Sequence, residues 1–234
     1  MKYMGSKAKY AKYILPLILK DRKPNQYYVE PFCGGCNIID KVSGNRIGND
    51  VNFFLIEMFK AIQKFWAPPE SISEESYRHI RMFKSDYPAY LVGFVSIGCS
   101  YSGKEWGGYA RGKDSNGKDR NYALESKNNL YKQLNGLKGI EFYNCSYDNL
   151  KIPENSIIYC DPPYRATTKY KNRFDHDRFW TWAESMSKTG HRVFVSEYQA
   201  PKQWKCIWQK EVFSSLTKET GSKIAIEKLF IIDN

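Results

Sequence analysis

The opening of the chain alternates between two spacings of apolar residues, one with the period of a helix and one with that of a buried strand. A helix is predicted over residues 7–19 and a strand over 27–30, followed by a glycine turn, a short helix from Cys36 and a second strand over 45–49. A β-α-β order of this kind is typical of a parallel sheet covered by helices. The pattern therefore predicts an α/β fold.

Beyond Asp50 the spacing changes. Helices are predicted at 53–65 and 74–83, whereas segment 98–120 has no clear periodicity. Glycines and basic residues concentrate in that segment, among them Gly103, Lys104, Gly107, Gly108, Arg111, Gly112, Lys113, Gly117, Lys118 and Arg120. This composition predicts a mobile basic loop.

The first pattern then resumes to the end of the chain. The predicted elements are a helix at 122–137 and strands at 140–144, 156–160, 192–196 and 228–232. A chain of 234 residues is long enough for one buried core with a smaller attached lobe. We therefore expect an α/β, Rossmann-like core formed by 1–53 and 122–234, with a mostly helical insertion at 54–121.

The charge balance is strongly basic, with 36 Lys and Arg against 25 Asp and Glu and a formal net charge of +11. Such a balance favours a polyanionic partner, although many basic proteins bind no nucleic acid. The 18 tyrosines add faces that can stack on unpaired bases, but a packing role fits most of them as well.

Membrane and secretory segments are not evident. The apolar run at 13–19 is shorter than the roughly 20 residues that a membrane-spanning helix needs, and Pro16 interrupts it. We therefore expect a cytoplasmic protein without membrane contact, and no obligate protein partner is evident.

Two of the six cysteines, Cys33 and Cys36, have the C-x-x-C spacing at a strand-to-helix turn. A thioredoxin-like redox pair is one interpretation of this spacing. A zinc site would need two further ligands, and the three histidines are isolated, so no metal site is expected. The remaining cysteines are expected to be reduced and buried.

A glycine turn follows the first predicted strand and consists of Pro31, Phe32, Cys33, Gly34 and Gly35. Glycines at such a turn let a ligand approach the backbone closely. Asp50 ends the next strand, where a carboxylate would accept hydrogen bonds from ribose hydroxyls; the alternative is a helix N-cap. The phosphate-binding spacing G-x-G-x-x-G is absent, which favours a ligand with ribose and adenine but no phosphate. S-adenosylmethionine is such a ligand, and acidic groups would stabilise its sulfonium.

The tetrapeptide Asp161, Pro162, Pro163, Tyr164 follows an apolar strand, at the end where ligands bind in open α/β sheets. Two prolines alone would only stop a strand, which does not account for the acid before them or the aromatic residue after them. The exocyclic amine of adenine is a poor nucleophile because its lone pair is delocalised. Asp161 and the Pro162 carbonyl can accept its two hydrogens, and Tyr164 offers a face for an everted base.

These motifs resemble the N6-adenine DNA methyltransferases of the GATC-methylase (Dam-like) type, including phage-borne members, over nearly the whole chain. The resemblance implies a methyltransferase core that uses S-adenosylmethionine and acts on double-stranded DNA. The opening motif, Lys2, Tyr3, Met4, Gly5, Ser6 and Lys7, resembles one that contributes to cofactor binding in the family, which maps such roles onto Tyr3 and Lys7. The segment from Glu30 to Gly35 looks like the family's cofactor loop, so cofactor roles also fall on Pro31, Phe32, Cys33, Gly34 and Gly35, and on Asp50 and Asp161. The resemblance assigns catalysis to Asp161, Pro162, Pro163 and Tyr164. Cysteine is not a fixed part of the family's loop, so Cys33 and Cys36 receive no redox role.

In the group with this order of motifs, the target-recognition region lies between the cofactor loop and the catalytic tetrapeptide. Residues 54–121 are the corresponding region, and Trp106 and Tyr109 are candidates for contacts with DNA, unless the loop is packed instead. Further candidates are Ser146, Tyr147 and Asp148 beside the cofactor adenine, and Arg165, Lys169, Lys171 and Arg173 beside DNA phosphates.

Other activities remain open to different degrees. Cytosine-C5 methylation is disfavoured, because the Pro-Cys pair of such enzymes is absent from the chain. Cytosine-N4 methylation attacks the same kind of amine and stays an alternative. RNA as substrate and a catalytically silent DNA-binding protein are further alternatives.

Overall fold

A computed structural model describes residues 1–164, 174–213 and 224–232. Its strands are β1 (Tyr28–Glu30), β2 (Arg46–Asn49), β3 (Ile140–Tyr143), β4 (Ile157–Cys160), β5 (Arg192–Glu197), β6 (Lys205–Phe213) and β7 (Ile224–Ile231). They form one sheet in the order β3-β2-β1-β4-β5-β7-β6. The first five strands are mutually parallel, and β7 runs antiparallel to β5 and β6. The chain thus has the predicted Rossmann-like α/β core.

The described residues form six α-helices beside the sheet: α1 (Ala11–Ile18), α2 (Phe53–Gln63), α3 (Glu74–Met82), α4 (Ala89–Gly98), α5 (Tyr122–Leu137) and α6 (His176–Lys188). Side chains alternate across each strand, so Ile157 and Tyr159 of β4 pack in one core cluster while Ile158 and Cys160 pack in the other. Helices α1 to α5 contribute to the first cluster and α6 to the second. Both faces of the sheet are therefore buried, as parallel sheets require.

Helix α4 crosses α2 at a close backbone approach. A Cβ added at Gly93 would lie 2.1 Å from the carbonyl oxygen of Phe54, so only glycine fits there. Both helices share one core cluster with the sheet. The boundary of the insertion at residue 54 stays a prediction. Helix α2, with which the predicted insertion begins, packs directly in the core.

Several predicted elements differ from the structure. The helix predicted at 7–19 is a 3₁₀ turn over Ala8–Tyr10 followed by α1, and the short helix predicted from Cys36 is a set of turns followed by a 3₁₀ helix over Ile39–Lys41. Cys36 has a positive φ of 54°, which a helix does not accommodate. Helix α4, which the sequence did not reveal, has buried residues around nearly its whole circumference, and so it lacks an amphipathic pattern. The edge strand β6 was not predicted because it is rich in exposed polar side chains and so lacks the apolar pattern of a buried strand.

Segment 98–120 lacks helices after α4 except for a short 3₁₀ turn, Tyr101–Gly103. Two isolated antiparallel bridges, Ser100 with Tyr109 and Lys113 with Asp119, organise it. The predicted absence of regular structure in most of this segment is confirmed, while its predicted mobility stays a prediction. Among the described residues, no helix is both long and apolar enough to span a membrane.

Candidate active site

The parallel strands β1, β2 and β4 are neighbours, so the loops that follow their carboxyl ends meet at one edge of the sheet. Residues 31–35 follow β1, Asp50 follows β2, and Asp161 follows β4. The strand order reverses between β1 and β4, which is where open α/β sheets bind ligands. The fold therefore brings the predicted cofactor loop and the predicted catalytic motif together.

Lys7, from the turn before α1, lies between two carboxylates. Its Nζ is 3.3 Å from Asp161 Oδ1 and 3.5 Å from Glu227 Oε2. Only 7% of Lys7 is exposed. Burial alone would lower the pKa of Lys7, but Asp161 and Glu227 outweigh it and raise that pKa above its ordinary value. Lys7 is thus a fully charged ammonium in a buried ionic cluster.

Tyr164 is held on several sides. Its hydroxyl donates a hydrogen bond of 2.8 Å to Glu227 Oε2. The Lys7 ammonium lies 4.4 Å from the centre of the Tyr164 ring, and Tyr198 packs against the ring edge-to-face at 4.7 Å. Burial is the main cause that raises the pKa of Tyr164 well above its ordinary value, so the phenol stays protonated. The orientation of the ring is therefore fixed by side chains outside the tetrapeptide.

Asp161 sits in an environment that opposes its ionisation. Burial raises the pKa of Asp161 to about 6, Lys7 acts against this shift, and the neighbouring carboxylate of Glu227 adds to it. At neutral pH the carboxylate is ionised and poorly solvated. Such a group is a strong hydrogen-bond acceptor for a donor that enters the site.

Asp50 connects the first two loops. Its Oδ2 accepts a hydrogen bond of 3.0 Å from the Gly34 N–H, and its Oδ1 accepts one of 2.9 Å from the Asn52 N–H. The N-cap of α2 is Asn52, whose side chain accepts from the Leu55 N–H, so the interpretation of Asp50 as the cap is wrong. Burial raises the pKa of Asp50, and the two backbone hydrogen bonds oppose this.

Tyr3 packs directly on the glycine turn. A Cβ at Gly35 would lie 2.6 Å from the Cβ of Tyr3, and one at Gly34 would lie 2.8 Å from its Cε1. Gly34 also has a positive φ of 45°. The glycines are therefore required by the turn and by Tyr3, which packs on the loop; the cofactor roles of Tyr3 and the loop stay predictions.

Asn49, whose role was not predicted from the sequence, links the loops that follow β1 and β3 at the same edge of the sheet. Its fully buried amide donates to the carbonyls of Pro31 and Cys145, at 3.0 Å each, and accepts from the Cys145 N–H. Phe32 then packs on Tyr147 and Phe179. The loop after β1 is thus anchored on both sides by β2 and by the segment after β3.

Cys33 is buried, and burial raises its pKa well above the ordinary thiol value. A redox-active thiol needs a lowered pKa and access to solvent, so the thioredoxin-like interpretation is wrong. All six cysteines are free. Cys206 is exposed and Cys145 half-buried, which corrects the expectation that all of them are buried.

The remaining candidates separate into three groups. Trp106 and Tyr109 both pack against Tyr77, so the packing alternative applies to these two rings. Tyr147 is buried among aromatic rings near Phe32, and Asp148 forms an ion pair with Arg178. The basic candidates Arg165, Lys169, Lys171 and Arg173 lie outside the described residues.

Two further acids lie beside the predicted residues: Glu30, which belongs to the segment that resembles the cofactor loop but received no role of its own, and Glu227, which the sequence analysis missed. Glu30 ends β1, is 3% exposed and accepts a hydrogen bond from the Tyr28 hydroxyl; burial raises its pKa well above the ordinary value. Each is a single acid at an inward-facing position of an apolar strand. That pattern was the available signal, because a carboxyl group is rarely buried in a core without a partner.

The topology defines a Rossmann-like α/β protein, in which acidic side chains gather at the junction of β1 and β4, where open α/β sheets bind ligands. Residues 3–94 and 104–225 match the D12 class N6 adenine-specific DNA methyltransferase family, and the chain belongs to that family.

Similar proteins include the type II methyltransferase M.FokI of Planomicrobium okeanokoites, 23% identical over 72% of this chain. The modification methylase StsI of Streptococcus sanguinis is 26% identical over 72% of the chain. The chain spans 29% of the length of each of these relatives. A solved S-adenosylmethionine-dependent methyltransferase from Clostridium acetobutylicum ATCC 824 superimposes with a TM-score of 0.41 at 10% identity, covering 98% of this chain and 93% of the other.

Proposed function

We propose that the chain transfers a methyl group from S-adenosylmethionine to N6 of an adenine in double-stranded DNA. The observation that carries the proposal is the half-buried Asp161 carboxylate, which lies beside the Lys7 ammonium at the carboxyl end of β4, within the Asp-Pro-Pro-Tyr motif of a family member. We further propose that the chain is an enzyme of the GATC-methylase type, which includes phage-borne members. It acts without an obligate protein partner.

The chemistry of the site fits the cofactor. Asp50 and Asp161 are half-buried carboxylates that follow β2 and β4, the two strands on either side of β1, and Lys7 lies between Asp161 and a second carboxylate, Glu227. Hydroxyl groups of a ribose and a sulfonium cation both favour such acceptors. The residues proposed to hold the cofactor are Tyr3, Lys7, Pro31, Phe32, Cys33, Gly34, Gly35, Asp50 and Asp161. When bound, the cofactor supplies an electrophilic methyl group.

The chain's own residues prepare the amine. Asp161 and the Pro162 carbonyl accept the two N6 hydrogens, which localises the nitrogen lone pair and stabilises the positive charge that develops on nitrogen. Pro162 and Pro163 have a fixed φ, so this carbonyl is presented rigidly. Tyr164 provides the stacking face for a base that has left the duplex. After transfer the amine loses one proton.

Segment 104–120 is proposed to contact the DNA backbone. It projects basic side chains into solvent, whereas Trp106 and Tyr109 of the same segment pack inward. Arg111 and Arg120 form ion pairs with Glu74 and Glu125. Exposed lysines of the segment are therefore the best candidates for phosphate contacts.

Cytosine-N4 methylation remains the second candidate, because the same acceptors suit the cytosine amine. A catalytically silent DNA-binding protein is disfavoured by the preserved motif and by the half-buried Asp161 beside Lys7.

Asp161→Asn should reduce methyl transfer to duplex DNA by roughly 10²–10³-fold, because the developing cation loses its carboxylate. In the unaltered chain, kcat/KM should fall about tenfold per pH unit below a pH of about 6, since protonated Asp161 no longer accepts the amine hydrogens. Tritium transfer measures both effects. Glu154→Gln, exposed before the opposite end of β4, is the matched control. Near-normal turnover by Asp161→Asn would contradict the assignment.

Asp50→Asn should weaken S-adenosylmethionine binding by about tenfold or more, because a charged acceptor for the ribose hydroxyls is lost. Calorimetry gives the affinity directly. Asn52→Ala serves as control, since it removes the N-cap of α2 at a cost of about 1 kcal/mol without touching the ribose acceptor. Equal loss of affinity in both variants would show that Asp50 acts only by shaping the loop.

Replacing Lys104, Lys113 and Lys118 together by glutamine should weaken DNA binding and lower its logarithmic salt slope by about 0.9 for each lost phosphate contact. The control replaces Lys20, Lys138 and Lys188, which are exposed at the amino ends of the strands, away from the site. Binding titrations at several salt concentrations measure the slope. An unchanged slope in the first variant rules out backbone contacts by these lysines.

A further inference from the structure

Glu227 lies in β7, the antiparallel strand of the sheet, and no motif of the proposed site includes it. Lys228 pairs with Glu197, the last residue of β5, so Glu227 sits one position beyond the carboxyl end of β5. Alternation along β7 places Glu227 on the same face as Leu229, which belongs to the core cluster that α1 joins. The antiparallel strand thereby delivers a carboxylate to the edge where the parallel strands end.

Burial makes this position costly for an acid unless it has partners. Glu227 is 9% exposed, and one oxygen, Oε2, serves both the Tyr164 hydroxyl at 2.8 Å and the Lys7 ammonium at 3.5 Å. Apolar residues precede Glu227 in β7 and Leu229 and Phe230 follow it closely. A carboxyl group is unusual in such an apolar strand, and its contacts with Tyr164 and Lys7 indicate a role in the site.

We propose that Glu227 is a positioning residue for the catalytic tetrapeptide: it fixes the Tyr164 ring through the hydroxyl and shares the Lys7 ammonium with Asp161. The inference rests on the proposed function, because the ring and the carboxylate that it adjusts are those assigned to base stacking and amine polarisation. Glu227 acts through its contacts with Tyr164 and Lys7.

The hydroxyl contact determines where a base can stack. Tyr164 is bonded at its hydroxyl by Glu227 and packed at its edge by Tyr198, while Lys7 covers a face at 4.4 Å. A base that stacks on the covered face displaces Lys7 from the ring. Because Lys7 already lies near Asp161, this displacement leaves the ammonium paired.

The shared ammonium determines the charge state of Asp161. The titratable groups that act on or respond to the Asp161 charge are Lys7, Glu30, Tyr159, Cys160, Tyr164 and Glu227. Burial is the largest cause that raises the pKa of Asp161; Lys7 opposes this shift, and the nearby charge of Glu227 adds to it. Removing the charge of Glu227 should lower that pKa, because Lys7 then pairs with Asp161 alone.

Two variants separate these roles. Glu227→Ala removes both, and kcat/KM for methyl transfer to unmethylated duplex DNA should fall about tenfold or more. Glu227→Gln keeps an oxygen that accepts the Tyr164 hydroxyl, so it should retain most activity at neutral pH while the acid limb of its pH profile moves to lower pH. Glu211→Gln, an exposed position of the adjacent strand β6, is the matched control.

A double-mutant cycle tests the hydroxyl contact itself. Tyr164→Phe keeps the ring but removes the hydroxyl, so adding Glu227→Gln to it should leave only the shift of the acid limb. Losses at neutral pH that are fully additive between Glu227→Ala and Tyr164→Phe would overturn the proposal. Wild-type activity and an unmoved acid limb in Glu227→Ala, with the fold intact by thermal unfolding, would also overturn it.

One readout is independent of methyl transfer. Titration of the ¹³C-labelled Asp161 carboxyl, followed by NMR without DNA or cofactor, should give a midpoint of about 6 in the unaltered chain. The midpoint should be lower in Glu227→Gln and unchanged in Glu211→Gln. An unmoved midpoint in Glu227→Gln refutes the sharing of Lys7. If the unaltered chain methylates no DNA, the proposed function fails while this titration still decides the role of Glu227.

Discussion

A buried ammonium between two carboxylates is the interaction on which the arrangement of the site depends. Lys7 comes from the start of the chain, Asp161 from the end of β4 and Glu227 from β7, and the ionic cluster joins these three distant segments. Burying any one of the charges alone would be strongly unfavourable. The cluster therefore forms only when the whole sheet edge is assembled, which ties the geometry of the tetrapeptide to the completed fold.

The second constraint is the close packing of the loop after β1. Glycine at positions 34 and 35 leaves room for Tyr3, and Asp50 and Asn49 hold the loop from β2. These contacts explain why the opening motif, the glycine turn and the acid after β2 occur together in one sequence. A preorganised loop of this kind lowers the entropic cost of binding a ligand.

The sequence predicted the parts of the molecule that local patterns encode. Alternating helical and strand periods gave the α/β core, and Asp161 to Tyr164 were placed correctly at a strand end. Helix α4 was not predicted because it is apolar around nearly its whole circumference, so its sequence shows no amphipathic pattern. Glu227 was not predicted for a different reason. Its proposed role depends on contacts with Lys7 and Tyr164, which are far from it in the chain. The antiparallel strand β7 brings these residues together.

The proposed product of the site is adenine methylated at its exocyclic amine in DNA. Nucleoside mass spectrometry can identify that product in unmethylated duplex DNA after incubation with the purified chain and S-adenosylmethionine labelled in its methyl group. We predict labelled N6-methyladenine that depends on Asp161. Label in N4-methylcytosine, or no label in DNA from a chain that binds both cofactor and duplex, would contradict the account.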